Sequence, residues 1–96
     1  MSYEIVFRED AEKEWRKLDA SVRQQFAKKL KERAENPHVP SAKLHNMLGC
    51  YKIKLRRIGY RLVYEVDDGR IVIVVVAIGK RDKNDAYDSA ISRMER

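Results

Sequence analysis

The most regular pattern of polar and apolar positions lies between residues 50 and 66, C-Y-K-I-K-L-R-R-I-G-Y-R-L-V-Y-E-V. Tyr51, Ile53 and Leu55 alternate with Lys52, Lys54 and Arg56, and Tyr60, Leu62, Tyr64 and Val66 resume the apolar series. Alternation with a period of two marks half-buried strands, so this stretch predicts a β-hairpin. Ile58-Gly59 is its expected two-residue turn, with Gly59 free to adopt positive φ. Such a loop sets Arg56 opposite Arg61, Lys54 opposite Val63 and Lys52 opposite Glu65. Lys52, Lys54, Arg56 and Arg61 then share one face, where facing like charges are unfavourable. A polyanion is the expected occupant of that face.

The remaining patterns surround this hairpin. Residues 3–7 (Y-E-I-V-F) read as a short strand with Tyr3, Ile5 and Phe7 on one side. A helix follows, with Asp10 as candidate cap and Ala11, Trp15 and Leu18 in one apolar stripe. A tryptophan in such a stripe reads as core packing before it reads as a stacking platform for a base. Ser21-Val22-Arg23-Gln24 matches a capping box and predicts the start of a second helix, striped by Val22, Phe26, Leu30 and Ala34 and stopped at Asn36-Pro37. Lys28, Lys29, Lys31 and Arg33 fall mostly on its solvent side. Residues 36–49 form an irregular connection in which Lys43 is a candidate basic anchor and Leu44 a core plug.

Asp68-Gly69 predicts a second two-residue hairpin turn. Residues 71–78 (I-V-I-V-V-V-A-I) are apolar on both faces, as in a central strand, and Gly79 is its expected end. Asn84 is the candidate N-cap of a final helix over 85–94. The fold class is therefore α+β in the order β-α-α-β-β-β-α: an α-hairpin on a mainly antiparallel, roughly four-stranded sheet, with a short C-terminal helix.

Composition narrows the setting. Ninety-six residues suit one domain, 1–96. A single cysteine, Cys50, excludes an intramolecular disulfide and fits a reducing cytoplasm. Residues 1–4 do not form a signal peptide, and the longest apolar run is too short to span a membrane, so a cytoplasmic protein with no membrane partner is expected. The net charge is +6, and its location is more telling than its size. Residues 36–64 contain no Asp or Glu but carry Lys43, Lys52, Lys54, Arg56, Arg57 and Arg61, which is the entire excess. A localised excess is the footprint of a phosphate-binding face.

Few catalytic arrangements are compatible with the sequence. It has no Gly-rich phosphate loop, no Ser-His-Asp set and no pair of carboxylates that spacing can join. His38, His45 and Cys50 fit no standard zinc spacing, so neither metal nor cofactor is expected. Both histidines lie in one loop, which disfavours a histidine-based ribonuclease. What remains is Lys and Arg on a sheet face, with Arg81 and Tyr87 beyond the central strand. Clustered cations can neutralise the pentacovalent charge formed when a ribose 2′-hydroxyl attacks its own phosphate. A lysine crowded by Lys54, Arg56 and Arg61 should have a lowered pKa and could act as a base. A nearby tyrosine could stack on a base or relay a proton. Taken alone, the pattern favours a binding protein over an enzyme.

The order of elements, with E-W-R-K-L (14–18), K-L (43–44), C-Y-K-I-K-L-R (50–56), G-Y-R-L-V-Y (59–64) and G-K-R (79–81) followed by Tyr87, resembles the RelE toxin family of the RelE/ParE superfamily. The resemblance covers nearly the whole chain. It implies a toxin of a type II toxin–antitoxin system: a ribosome-dependent endoribonuclease, or mRNA interferase, that cuts mRNA in the ribosomal A site. It implies that Lys52 and Lys54 hold and polarise the scissile phosphate, that Arg61 stabilises the transition state and that Arg81 is the general acid. Tyr87 would stack on the mRNA base or serve as general base, and the choice between Lys52 and Tyr87 as base stays open. Lys43, Arg56, Arg57, Lys80 and Lys83 are candidate contacts to RNA or the ribosome.

The implied partners are a RelB-like antitoxin, the 70S ribosome, mRNA, and operator DNA only through the antitoxin complex. The last helix, with few large apolar residues, is expected to be readily displaced by the antitoxin. Two alternatives stand beside this reading: a ParE-like DNA gyrase inhibitor and a non-catalytic nucleic-acid-binding module. Gyrase inhibitors of that type generally lack the Arg81/Tyr87 pair and the Lys-x-Lys strand. Strict alternation from a two-residue Asp68-Gly69 turn puts Val76, Ile78 and Lys80 on the face of Arg61 and Arg81 on the other. A bulge at Gly79 would then be needed for Arg81 to reach the site.

Overall fold

A computed structural model describes residues 2–95. Its elements are β1 (Glu4–Phe7), α1 (Glu9–Arg16), α2 (Ala20–Glu35), β2 (Cys50–Leu55), β3 (Tyr60–Asp67), β4 (Val72–Lys80) and α3 (Asp85–Met94). The strands form one open sheet in the order β1-β4-β3-β2, with β1 parallel to β4 and the other neighbours antiparallel. This is the α+β arrangement expected from the patterns. None of the helices is long and apolar enough to cross a membrane among the described residues.

The two sheet faces bury different partners. On one, Tyr51, Ile53, Leu55, Leu62, Tyr64, Ile73, Val75 and Ile78 pack against Ala11, Leu18, Val22, Phe26 and Leu30 of the α-hairpin and its turn. Burying a Phe or Leu side chain fully is worth roughly 1.5–3 kcal/mol, so this face supplies most of the stabilising burial. On the other, Cys50, Val63, Val76 and Ala77 meet Ala86 and Ala90 of α3, with Met47 beside them. Trp15 packs as core: it is half-buried, with its ring centre 5.2 Å from that of Phe7.

Several local expectations are corrected. Helix α1 starts at Glu9, so Asp10 lies inside its first turn rather than capping it. Helix α2 starts at Ala20 after Asp19, because the good helix former Ala20 extends it by one residue; Ser21 is then internal and no capping box forms. Asn84 does precede α3, but as a left-handed turn residue (φ 53°) without a side-chain cap bond. Asparagine tolerates that conformation.

The β2–β3 loop has four residues, not two. Gly59 N–H donates to Leu55 C=O at 2.9 Å, and the register is Lys54 with Arg61, Lys52 with Val63 and Cys50 with Glu65. A two-residue I′ or II′ turn needs positive φ at its first central residue, and the β-branched Ile58 resists that. Gly59, with φ +73°, takes the positive angle at the end of the wider loop.

The second turn is wider too, since Asp67 pairs with Val72 and Ile71 is left-handed (φ 57°). The break in alternation lies at mid-strand: Val63 pairs with Ala77 but Tyr64 with Val75, which leaves Val76 as the extra residue of a bulge. That shift sets Gly79 opposite Arg61, whereas strict alternation named Val76, Ile78 and Lys80 for that face. Gly79 neither carries the bulge nor ends the strand, which runs on to Lys80. Its role is close approach: a Cβ there would lie 2.5 Å from Asp85 Cβ and 2.9 Å from Ala86 N, so α3 sits directly on its backbone.

Candidate functional site

Alternation in β2 sends Lys52 and Lys54 to the face that carries α3, and β3 places Arg61 beside Lys54. None of the ion pairs among the described residues involves these three cations. Arg61 is only 8% exposed, and its Nη1 donates to the Tyr60 carbonyl at 3.1 Å. An arginine this buried, with no carboxylate partner among the described residues, leaves its charge available to an anion. The Lys52 ammonium, followed by desolvation and the charges of Arg56 and Arg61, holds the Lys54 pKa below its ordinary value. The crowding expected from sequence is therefore present, and the lowered group is Lys54.

Helix α3 completes the site. A cleft of about 400 Å³ has Lys52 and Lys54 on one wall and Tyr87, Asp88 and Ile91 on the other, with Leu44 and Met47 at its side. Asp88 brings a carboxylate to this cleft, next to Asn84, whose Nδ2 donates to it at 3.4 Å. Arg81 lies outside it. Its N–H donates to the Gly59 carbonyl at 2.7 Å, and with Lys80 and Asp82 it lines an adjoining depression of about 360 Å³ against Ile58, Gly59 and Tyr60. The candidate set thus spreads across one end of the sheet: Tyr87 facing the two lysines, Arg61 next in line, and Arg81 beyond Gly79.

The other basic candidates distribute unevenly. Arg56 joins Lys52 and Lys54 in a third depression of about 250 Å³ at the free edge of β2, and Lys80 lies beside Arg81. Lys43 is exposed and bridges to Tyr51, whereas Arg57 and Lys83 are exposed in the β2–β3 loop and the turn before α3. Leu44 is only partly buried against α3's cluster, and the buried plug of this connection is Met47.

One residue was misplaced by its pattern. Arg33 is not on the solvent face: its Nη1 donates to the Lys52 carbonyl at 3.1 Å and to the Tyr64 hydroxyl at 3.0 Å, and the guanidinium lies 5.7 Å from the Tyr64 ring centre. It therefore fixes the backbone of the strand that bears both lysines. Position 33 follows Leu30 by three, so it borders the buried stripe, and that spacing was the available signal. Arg33 also lines the third depression, with Ser41.

Of the three remaining ligating candidates, His45 is exposed, whereas His38 and Cys50 serve the scaffold. His38 Nδ1 lies 3.0 Å from the Tyr51 hydroxyl and Nε2 2.8 Å from Asp68 Oδ1, which also accepts from Tyr3 at 2.6 Å. Cys50 is fully buried, and burial with the nearby Glu65 pushes its thiol up to about 11. No group of three or more His, Cys, Asp and Glu is placed to hold a metal ion among the described residues.

Comparison with known proteins shows the family to which the chain belongs. A family model described as ParE toxin of type II toxin–antitoxin system, parDE, matches residues 5–85. A RelE-like toxin protein of Escherichia coli is 58% identical over 98% of this chain and 99% of its own length. The mRNA interferase toxin RelE of Escherichia coli strain K12 is 49% identical over the same shares. A solved structure of a free E. coli RelE double mutant superposes with a TM-score of 0.90 at 48% identity, covering 98% of this chain and 99% of that one. The chain belongs to the RelE/ParE superfamily of type II toxin–antitoxin systems, and within it to the RelE toxins.

Proposed function

We propose that this RelE toxin is an mRNA interferase that cuts mRNA in the A site of the ribosome and so halts translation. The observation that carries the reading is the cleft in which Lys52 and Lys54 face Tyr87, with the buried Arg61 beside them. In the reaction a ribose 2′-oxygen attacks the adjacent phosphorus, the P–O5′ bond breaks, and the products are a 2′,3′-cyclic phosphate and a 5′-hydroxyl. Lys54 takes the 2′-hydroxyl proton, because its lowered pKa makes the neutral amine easier to reach. Lys52 and Arg61 neutralise the charge that accumulates on the phosphorane. Tyr87 stacks on a neighbouring base, and Arg81 donates to the leaving 5′-oxygen from the adjoining depression.

Such a lysine is a weak catalyst on a mobile strand. A ribosome that fixes the mRNA in attack geometry supplies several kcal/mol of positioning, which makes dependence on it a physical expectation. Lys43, Arg56, Arg57, Lys80 and Lys83 contact RNA of the message or the ribosome. The toxin acts in the cytoplasm, is neutralised by a RelB-like antitoxin and reaches operator DNA only through that complex.

The description of the matching family model favours one competitor, a ParE-like action on gyrase. End analysis of cleaved mRNA separates the two. A 2′,3′-cyclic phosphate on the 5′ fragment, lost in Lys54→Ala and Arg81→Ala, supports the interferase. Intact mRNA with inhibited DNA supercoiling supports the gyrase inhibitor.

A further inference from the structure

Helix α3 carries Tyr87, and the question is what holds it. Its apolar contribution is thin: Ala86 and Ala90 are fully buried, while Tyr87, Ile91 and Met94 are partly so. Ten residues is also below the length at which an isolated helix is stable in water, roughly 12–15 residues. Its first turn rests on Gly79. Its last turn is held differently.

Strand β1 pairs with β4 only as far as Phe7 with Val75. Just past that point Val76 C=O accepts from Arg93 Nη1 at 2.8 Å and Ile78 N–H donates to Glu14 Oε1 at 3.1 Å. A glutamate of α1 and an arginine of α3 therefore occupy the β4 edge that β1 leaves open. The two also bind each other through both oxygens: Arg93 Nη1 donates to Oε1 at 2.9 Å and Nη2 to Oε2 at 3.0 Å. Arg93 Nε lies 3.6 Å from Asp10 Oδ2, its side chain is 12% exposed, and Arg8 Nη1 donates to its carbonyl at 3.0 Å. A bidentate guanidinium–carboxylate pair fixes orientation as well as distance.

We infer that Glu14 and Arg93 are positioning residues, whose pairing on the open edge of β4 sets the seat of α3 and thereby keeps Tyr87 facing Lys52 and Lys54. For what Tyr87 then does, this rests on the interferase reading; for what holds the helix, it stands on the geometry alone. Neither side chain lines the cleft of Lys52, Lys54 and Tyr87, so their effect on cleavage passes through Tyr87.

The test uses Glu14→Gln, which keeps an acceptor for Ile78 N–H but loses the ion pair, and Arg93→Lys, which keeps the charge but not the fork. Residue-resolved hydrogen exchange on the free toxin is expected to show α3 amides exchanging about tenfold faster or more, with β3 and β4 unchanged. On ribosome-held mRNA kcat should fall on the order of tenfold while KM holds, with Arg93→Lys the milder. Adding Glu14→Gln to Tyr87→Ala should cost nothing further, since both remove the same contact. Unchanged α3 exchange, acceleration of all amides together, or losses that add to Tyr87→Ala would overturn the inference. If the wild type cuts no RNA, the interferase reading fails by itself. Exchange and the NMR signals of the Tyr87 ring then decide the seat of α3 alone, with both unchanged in the variants as the contradicting result.

Discussion

Gly79 and Asp85 meet at a distance no side chain can share, since a Cβ on Gly79 would lie 2.5 Å from the Asp85 Cβ. Gly79 is also the β4 partner of Arg61, so the same point carries the start of α3 and one end of the candidate site. Gly79→Ala must push α3 away from the sheet, because its closest neighbours include backbone atoms that cannot rotate aside. Overpacking of this kind costs about 1–3 kcal/mol. Chemical denaturation should show a loss in that range, and cleavage should fall far more than the folded fraction does.

The cations around Lys54 set the pH at which it can act. Its pKa is lowered first by Lys52, then by desolvation, Arg56 and Arg61. If neutral Lys54 accepts the 2′-hydroxyl proton, the cleavage rate rises with pH along a limb centred below the ordinary lysine value. Removing a neighbouring charge raises the pKa, so Lys52→Gln should move that limb to higher pH and Arg56→Gln should move it the same way by less. The position of the limb, rather than its height, is the readout, because Lys52 is also proposed to hold phosphate. A limb that stays in place in Lys52→Gln would assign the proton to another group.

Asp88 opposes the purpose of its surroundings. It lines the cleft with Lys52, Lys54 and Tyr87 and places a negative charge where phosphate is expected. Asp88→Asn should tighten binding of a short RNA by a few-fold at low salt, and the gain should shrink as ionic strength rises. Filter-binding titrations at two salt concentrations measure both effects.

Ile71 is a β-branched residue at φ 57° in the β3–β4 turn, where such side chains are strained by about 1–2 kcal/mol. It is 39% exposed, so little packing is lost on replacing it. Ile71→Asn should raise stability by roughly 0.5–1 kcal/mol in urea unfolding, with cleavage unaffected.

How far the chain could be read in advance follows from the same residues. The hairpin and its cation face were legible because Tyr51 to Arg56 alternate strictly, and the stripe of Val22, Phe26, Leu30 and Ala34 is the buried face of α2. The hairpin register was not, because it depends on how a loop containing Ile58 closes. The bulge at Val76 left no trace either: a run that is apolar on both faces looks the same in either parity. Lys52, Lys54 and Arg61 could be grouped from one hairpin. That Tyr87 faces them depends on α3 docking across from the α-hairpin, and the anchors of that docking, Glu14, Arg93 and Gly79, act through single contacts that no periodicity encodes.

The most direct measurement incubates the toxin with one short defined mRNA, with and without programmed ribosomes holding an empty A site. The interferase account predicts one cut inside the A-site codon, only in the tube with ribosomes, and its loss in Lys54→Ala and Tyr87→Ala. Intact mRNA in both tubes, with no binding to ribosomes, would contradict it.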